Sequence, residues 1–93
     1  IKGTPMVVES SMLQVLIALS RSENISKAAE ELNVTQSAVS QALKNLEGKV
    51  GFPIVARQGK SVVLTENGMR LAKVAKQFFS RIEETIEQIH LEN

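Results

Sequence analysis

The sequence predicts a mainly α-helical domain of the winged helix-turn-helix class, and three observations lead to this prediction. Apolar residues recur at helical spacing in four segments of the chain. Two of these segments, with a short turn between them, occupy about residues 26–49, which is the order of a helix-turn-helix. Two short β-branched segments then predict a hairpin over about 54–64, followed by a long helix over about 66–91. We therefore expect one domain over residues 1–93.

Length and composition narrow the class of protein. A chain of 93 residues with 43% hydrophobic content forms one small core and has no room for a separate catalytic cleft, so we expect no enzyme. Cysteine is absent and His90 is the only histidine, so we expect neither a metal nor a cofactor. Apolar runs are shorter than the ~18 residues of a membrane span, and residues 1–10 lack a signal-peptide pattern. We expect a cytoplasmic protein without a membrane partner.

Spacing and capping residues predict the first two helices. Apolar residues on one helical face predict a helix over about 6–21, with Pro5 in its first turn; they are Val8, Met12, Val15, Leu16 and Leu19. Ser26 is the predicted N-cap of a short helix that ends near Leu32. Ala28 and Ala29 lie within it, and their small side chains allow a neighbouring helix to approach closely.

The third helix is predicted over about 36–49, with Thr35 as its N-cap. One face is apolar and comprises Val39, Ala42, Leu43, Leu46 and Val50. The opposite face carries five hydrogen-bonding side chains within about 140° of each other, namely Gln36, Ser37, Ser40, Gln41 and Lys44. The sequence between Glu31 and Glu47 contains no acidic residue, so this face can approach phosphate without repulsion.

This polar face has the chemistry of a base-reading surface. A glutamine amide can pair with the N6 and N7 edge of adenine, and serine can contact either a base or a phosphate. We therefore interpret Gln36, Ser37, Ser40 and Gln41 as candidate base readers and Lys44 as a candidate phosphate contact. The alternative is that they form only the solvated side of an amphipathic helix.

Two further regions are candidate phosphate contacts. Ser26 and Thr35 lie at helix N-termini, where free N–H groups and the helix dipole favour an anion. In the hairpin, cations and small residues suit the DNA backbone or a narrow minor groove; these are Arg57, Gly59, Lys60 and Ser61. Capping alone, and a plain hairpin with a solubilising turn, are the alternatives.

The long last helix carries an apolar stripe of Leu71, Val74, Ala75, Phe78, Ile82, Ile86 and Ile89. Its later members lie too far along the helix to cover the core of the same domain. We expect Phe78, Ile82, Ile86 and Ile89 to form a homodimer contact, which can repay the cost of association because isoleucine burial is favourable. A monomer with a frayed helix end is the alternative.

Three segments together resemble the N-terminal domain of LysR-type transcriptional regulators: NISKAAEELNVTQSAVSQALKNLE at 24–47, GFPIVAR at 51–57 and LTENG at 64–68. The resemblance covers about residues 12–90. It implies a bacterial regulator that binds double-stranded DNA as a dimer, at a partly palindromic and often AT-rich site. It also implies that the residues matching Gln36, Ser37, Ser40 and Gln41 face the major groove, and that 57–61 form the wing.

Some positions depart from the pattern of this family. Gln41 stands where arginine is usual, Ile25 and Val55 where phenylalanine is usual, and Gly48 interrupts the stretch after Glu47.

Members of the family continue into an effector-binding domain, which is absent from these residues. The chain is therefore expected to be a fragment, a stand-alone regulator, or a relative of the DNA-binding half of molybdate-responsive regulators. A winged-helix module that binds only proteins is the alternative function.

Overall fold

The computed structural model describes residues 8–22 and 24–92, and its elements follow the predicted order. They are α1 (Ser10–Ser22), α2 (Ile25–Leu32), α3 (Gln36–Val50), β1 (Val55–Gln58), β2 (Ser61–Leu64) and α4 (Glu66–Glu92). The two strands form an antiparallel hairpin. The predicted fold class, a winged helix-turn-helix with a long C-terminal helix, is confirmed.

The core lies where α1, α2 and α3 meet. Its fully buried side chains include Leu16, Leu19, Val39, Leu46 and Ile54. The predicted apolar face of α3 is confirmed, because Val39, Leu43 and Leu46 are buried while Ala42 and Val50 pack against the core as partly buried residues. Ala28 and Ala29 are also buried, in agreement with the close helix contact predicted from their size. The apolar face of α3 is thus buried in the core of the domain, and its polar face is exposed to solvent.

Helix α1 begins later than predicted. Val8 and Glu9 precede it, and the Glu9 carbonyl accepts the first hydrogen bond, from the N–H of Met12 at 3.0 Å. Apolar spacing could not reveal this start, because Val8 still packs against the core from outside the helix. Pro5, predicted in the first turn, lies outside the described residues.

Helix α2 is capped by Asn24, and the prediction that Ser26 is the cap is wrong. Asn24 Oδ1 accepts a hydrogen bond from the N–H of Lys27 at 3.1 Å. Ile25 is partly buried against the core, so the helix has to include it and the cap moves to the residue before it. Ser26 therefore lies within the first turn of α2.

An exposed ion pair links the end of α1 to α2. Arg21 donates to both carboxylate oxygens of Glu31, at 3.3 and 2.8 Å. These hydrogen bonds lower the pKa of Glu31 and raise the pKa of Arg21. Because both groups are exposed to solvent, the pair contributes little to stability.

The turn between α2 and α3 is made by two polar residues. Asn33 takes a left-handed conformation with φ of 57°, which asparagine tolerates better than most residues. Thr35 Oγ1 accepts from the N–H of Ala38 at 3.1 Å, so the predicted N-cap of α3 is confirmed. These two residues end one helix and start the next within three positions, which orients α3 across α2.

The wing differs in detail from its prediction. Ile54 was expected in the first strand, but it precedes β1 and is fully buried. The strand continues instead to Gln58, which pairs with Ser61, so only Gly59 and Lys60 form the turn. Gly59 has φ of 65° at the first central position, where a type II′ turn places glycine.

Glu47 connects α3 to the base of the wing. Its Oε2 accepts hydrogen bonds from the backbone N–H of Ile54 at 2.8 Å and of Val55 at 3.2 Å. Ile54 is buried, so its N–H has little access to water. The end of α3 and the start of the hairpin are therefore held together by one carboxylate.

Replacing Glu47 with alanine is expected to lower the free energy of unfolding by about 1–3 kcal/mol, because two backbone N–H groups lose their acceptor. Glu47→Gln is the matched control and should cost less, since its amide oxygen still accepts. Urea denaturation of the three proteins measures both effects. A Glu47→Ala protein as stable as the wild type would contradict the expected role of this carboxylate.

Helix α4 packs on α1 through its first part only. Thr65 Oγ1 accepts from the N–H of Gly68 at 3.0 Å and lies within hydrogen-bond distance of the Ile54 carbonyl, so it both caps the helix and ties it to the wing. The buried residues of α4 are Gly68, Ala72 and Ala75. Val74, a member of the predicted apolar stripe, is exposed, whereas the small Ala72, which was not assigned to the stripe, packs in the core.

Across residues 8–22 and 24–92, no helix combines the length and the apolar character that crossing a membrane requires.

Candidate nucleic-acid interface

The polar face of α3 is exposed along its whole length. The five predicted side chains line one shallow depression: Gln36, Ser37, Ser40, Gln41 and Lys44. Each of them is exposed. Because α3 is anchored by Val39, Leu43 and Leu46 on its other side, the fold presents this face outward with little freedom to rotate.

Gln36 is held at the start of this face. Its Nε2 donates to Ser26 Oγ of α2 at 3.3 Å. The contact joins the first turns of α2 and α3, which are ten residues apart in sequence. Ser26 therefore contacts the candidate base reader directly, a position that its predicted role as a cap did not indicate.

The wing lies beside the first turn of α2. A second depression is lined by residues of α2, α3, the hairpin turn and β2, among them Ser26, Gln36, Lys60 and Ser61. Four of the predicted site residues thus come together where two helix N-termini meet the hairpin. Arg57 lies on β1 and Gly59 in the turn, and both are exposed.

The charges around this surface favour an anionic partner. Lys44 on α3 and Lys60 on the wing flank the two depressions. At the capped start of α3 the dipole adds partial positive charge. Thr35 Oγ1 satisfies the N–H of Ala38, which leaves the N–H groups of Gln36 and Ser37, the first two of the helix, to point outward.

The sequence interpretation missed one polar residue on this side of α3. Asn45 accepts a hydrogen bond from Gln41 Nε2 at 2.9 Å. The signal was present, since an amide four residues after another amide lies next to it on a helix. Asn24 was missed because Ser26 is also a suitable cap residue, and Glu47 because the N–H groups that it accepts from lie outside its own helix.

Together, the three-helix core, the two-stranded wing and the outward polar helix define a winged helix-turn-helix protein. The sequence profile of bacterial regulatory helix-turn-helix proteins, lysR family, matches residues 10–69. The chain belongs to the lysR family.

Curated relatives agree with this assignment. The chain is 36% identical over 87 residues to the RuBisCO operon transcriptional regulator of Allochromatium vinosum, covering 90% of this chain and 29% of that protein. It is 38% identical over 77 residues to the glycine cleavage system transcriptional activator of Escherichia coli, covering 83% and 25%. The chain thus spans less than a third of the length of these two relatives.

A solved structure extends the likeness to three dimensions. The crystal structure of Vibrio fischeri DarR in complex with DNA matches with a TM-score of 0.79 and 39% identity, over 91% of this chain and 29% of that one. The similarity therefore includes the arrangement of the helices and the wing as well as the residues.

Proposed function

We propose that this chain is a sequence-specific double-stranded DNA-binding domain of a bacterial transcriptional regulator. The observation that carries the proposal is the exposed face of α3, which presents amides, hydroxyls and one lysine without an acidic residue. A helix of this kind enters the major groove by its N-terminal end. The names of the relatives, which are transcriptional regulators, and the DNA complex of DarR support the same function.

Each part of the interface has a role in this proposal. Gln36, Ser37, Ser40 and Gln41 contact base edges, and Lys44 contacts phosphate. Ser26 and Thr35 bring helix N-termini to the backbone. The wing residues Arg57, Gly59, Lys60 and Ser61 follow the backbone or enter the minor groove. These roles are those of a binding module rather than an enzyme, and membership of a bacterial regulator family supports a cytoplasmic location.

We also propose that the protein binds as a homodimer through α4. Residues 80–92 are all exposed, and this part of the helix is about 20 Å long. Phe78, Ile82 and Ile86 are 51%, 41% and 51% exposed there, and Ile89 continues the stripe. A second α4 is a suitable cover, because an antiparallel copy would place its acidic end against the basic half that carries Arg70, Lys73 and Lys76.

A dimer of this kind would place two recognition helices about one DNA turn, ~34 Å, apart, which suits a partly palindromic site. Effector binding is not proposed for these 93 residues. The two relatives are more than three times as long as this chain.

Selection of bound sequences from random double-stranded DNA tests the proposed function, followed by two substitutions. Gln36→Ala is expected to lose discrimination at one base pair, by about 1–3 kcal/mol, because it removes a base contact. Lys60→Ala is the matched control and should weaken binding to all sequences about equally, because it removes a phosphate contact. Fluorescence anisotropy on the selected site and its single-base variants measures both.

Salt dependence separates this function from a winged-helix module that binds only proteins. Binding through several phosphates is expected to weaken by orders of magnitude between about 50 and 200 mM salt. A selection that returned no preferred sequence, with binding insensitive to salt, would contradict the proposed function. Equal losses from Gln36→Ala and Lys60→Ala on every sequence would contradict the base-reading role of Gln36 alone.

A further inference from the structure

Gln41 and Asn45 form a hydrogen-bonded pair on the exposed side of α3. Gln41 Nε2 donates to Asn45 Oδ1 at 2.9 Å, and both side chains are exposed. They are four residues apart, so one side chain lies above the other along the helix. The Gln41 side chain is therefore oriented by its own helix before a ligand arrives.

This hydrogen bond restricts how the Gln41 amide can face a ligand. A primary amide has one acceptor oxygen and two N–H donors. Because one N–H is given to Asn45, Oε1 and the second N–H of Gln41 remain available. As long as Asn45 presents Oδ1 to Gln41, as it does in this structure, turning the Gln41 amide over would set two acceptor oxygens against each other without a hydrogen between them, and the bond would be lost.

The groups that remain match one purine and not the other. In the major groove adenine offers the N6 donor and the N7 acceptor, which pair with the oxygen and one N–H of a glutamine amide. Guanine offers two acceptors, N7 and O6, so the amide oxygen of Gln41 would find no donor there. An amide held in this orientation discriminates between purines, whereas a freely rotating amide can adapt to either.

On this basis, and resting on the major-groove binding proposed above, we propose that Asn45 is a positioning residue that makes Gln41 select adenine over guanine. Asn45 acts through Gln41 rather than on a base. At about 100° per residue, Asn45 lies about 180° around α3 from Gln36, which is the edge of the polar face. Gln41 lies about 40° closer to the middle of that face. The accepting oxygen of Asn45 is already used by Gln41.

The test measures binding to the selected DNA site with each of the four base pairs placed in turn at every position. Gln41→Ala identifies the position that Gln41 reads. Asn45→Ala is expected to reduce the preference for adenine over guanine about two- to fivefold at that position alone, the size expected of an exposed hydrogen bond between neighbouring side chains. The fold should be retained, because Asn45 is exposed and alanine favours helix.

Asn45→Asp provides the conservative comparison. Its carboxylate can only accept, so it is expected to hold Gln41 in the same orientation and keep the adenine preference. Its negative charge should weaken binding to every sequence. Asn67→Ala is the matched control, since it removes an exposed amide in the first turn of α4, and it should leave the preference unchanged.

Three results would overturn the proposal: an unchanged preference in Asn45→Ala, a preference for guanine in Asn45→Asp, or the same change in Asn67→Ala. Failure of the proposed function would give a different result, because the wild-type protein itself would then bind all sequences alike. If the wild type were selective but Gln41→Ala had no effect at any base pair, Gln41 would not be a reader, and the role of Asn45 would be overturned with it.

Discussion

Replacing Ile82 with glutamate is expected to break the proposed dimer into monomers and to weaken binding to a DNA with two half-sites by about 100-fold or more, because avidity is lost. Ile82 lies between Phe78 and Ile86 in the exposed stripe of α4. A two-fold axis would bring two copies of the new carboxylate together where water is excluded, which is strongly unfavourable. The burial of Ile82 in the proposed dimer, worth about 1.5–3 kcal/mol, would be lost as well.

Gln77→Glu is the matched control for this substitution. It introduces the same side chain at an exposed position of α4, about 140° around the helix from Ile82. Sedimentation velocity at micromolar concentration should detect a dimer for the wild type and Gln77→Glu, and a monomer for Ile82→Glu. Affinity for a single half-site should be the same in all three. A wild-type protein that sedimented only as a monomer at high micromolar concentration would contradict the dimer.

Replacing Gly68 with alanine is expected to lower the free energy of unfolding by about 1–3 kcal/mol, the usual cost of overpacking. A Cβ on Gly68 would overlap the backbone carbonyl oxygen of Ile54. That carbonyl also accepts the N–H of Thr65 at 2.9 Å, so it cannot move without releasing the start of α4. The expected result is a lower urea midpoint and a loosened contact between α4 and the wing.

Replacing Gly48 with alanine is expected to raise the free energy of unfolding, in contrast to the same replacement at Gly68. Gly48 lies inside α3, and a Cβ there would meet no atom within 4 Å. Alanine should therefore stabilise the protein by about 0.5–1 kcal/mol, because glycine loses more conformational freedom in a helix. Equal effects of Gly68→Ala and Gly48→Ala in denaturation would show that helix propensity, and not the contact with Ile54, decides both.

Local signals predicted the helix-turn-helix well. Thr35 was identified as a cap because a hydroxyl before an apolar run is a local feature, and the structure places its oxygen 3.1 Å from the Ala38 N–H. The choice between Asn24 and Ser26 was different. Both residues can cap a helix, and only the packing of Ile25 against the core decides between them. The error of two residues therefore came from tertiary packing.

The candidate site was predictable in its position but less so in its internal contacts. The exposed face of α3 followed from helical periodicity, since Val39, Leu43 and Leu46 had to turn inward. The contact between Gln36 and Ser26 was not predictable, because it depends on the distance between two helices. Asn45 could have been found from its spacing to Gln41, and an interpretation focused on the N-terminal half of the helix overlooked it.

Sequence alone determined which segments form helices and strands and which face of each is apolar, because these properties repeat every few residues along one chain. Tertiary structure decided which polar groups satisfy one another: Glu47 with the start of the wing, Ser26 with Gln36, and Thr65 with the residues before β1. It also decided that Ala72, and not Val74, meets the core. The physical reason is that a hydrogen bond or a close contact depends on how two elements pack, which periodicity within either element does not specify.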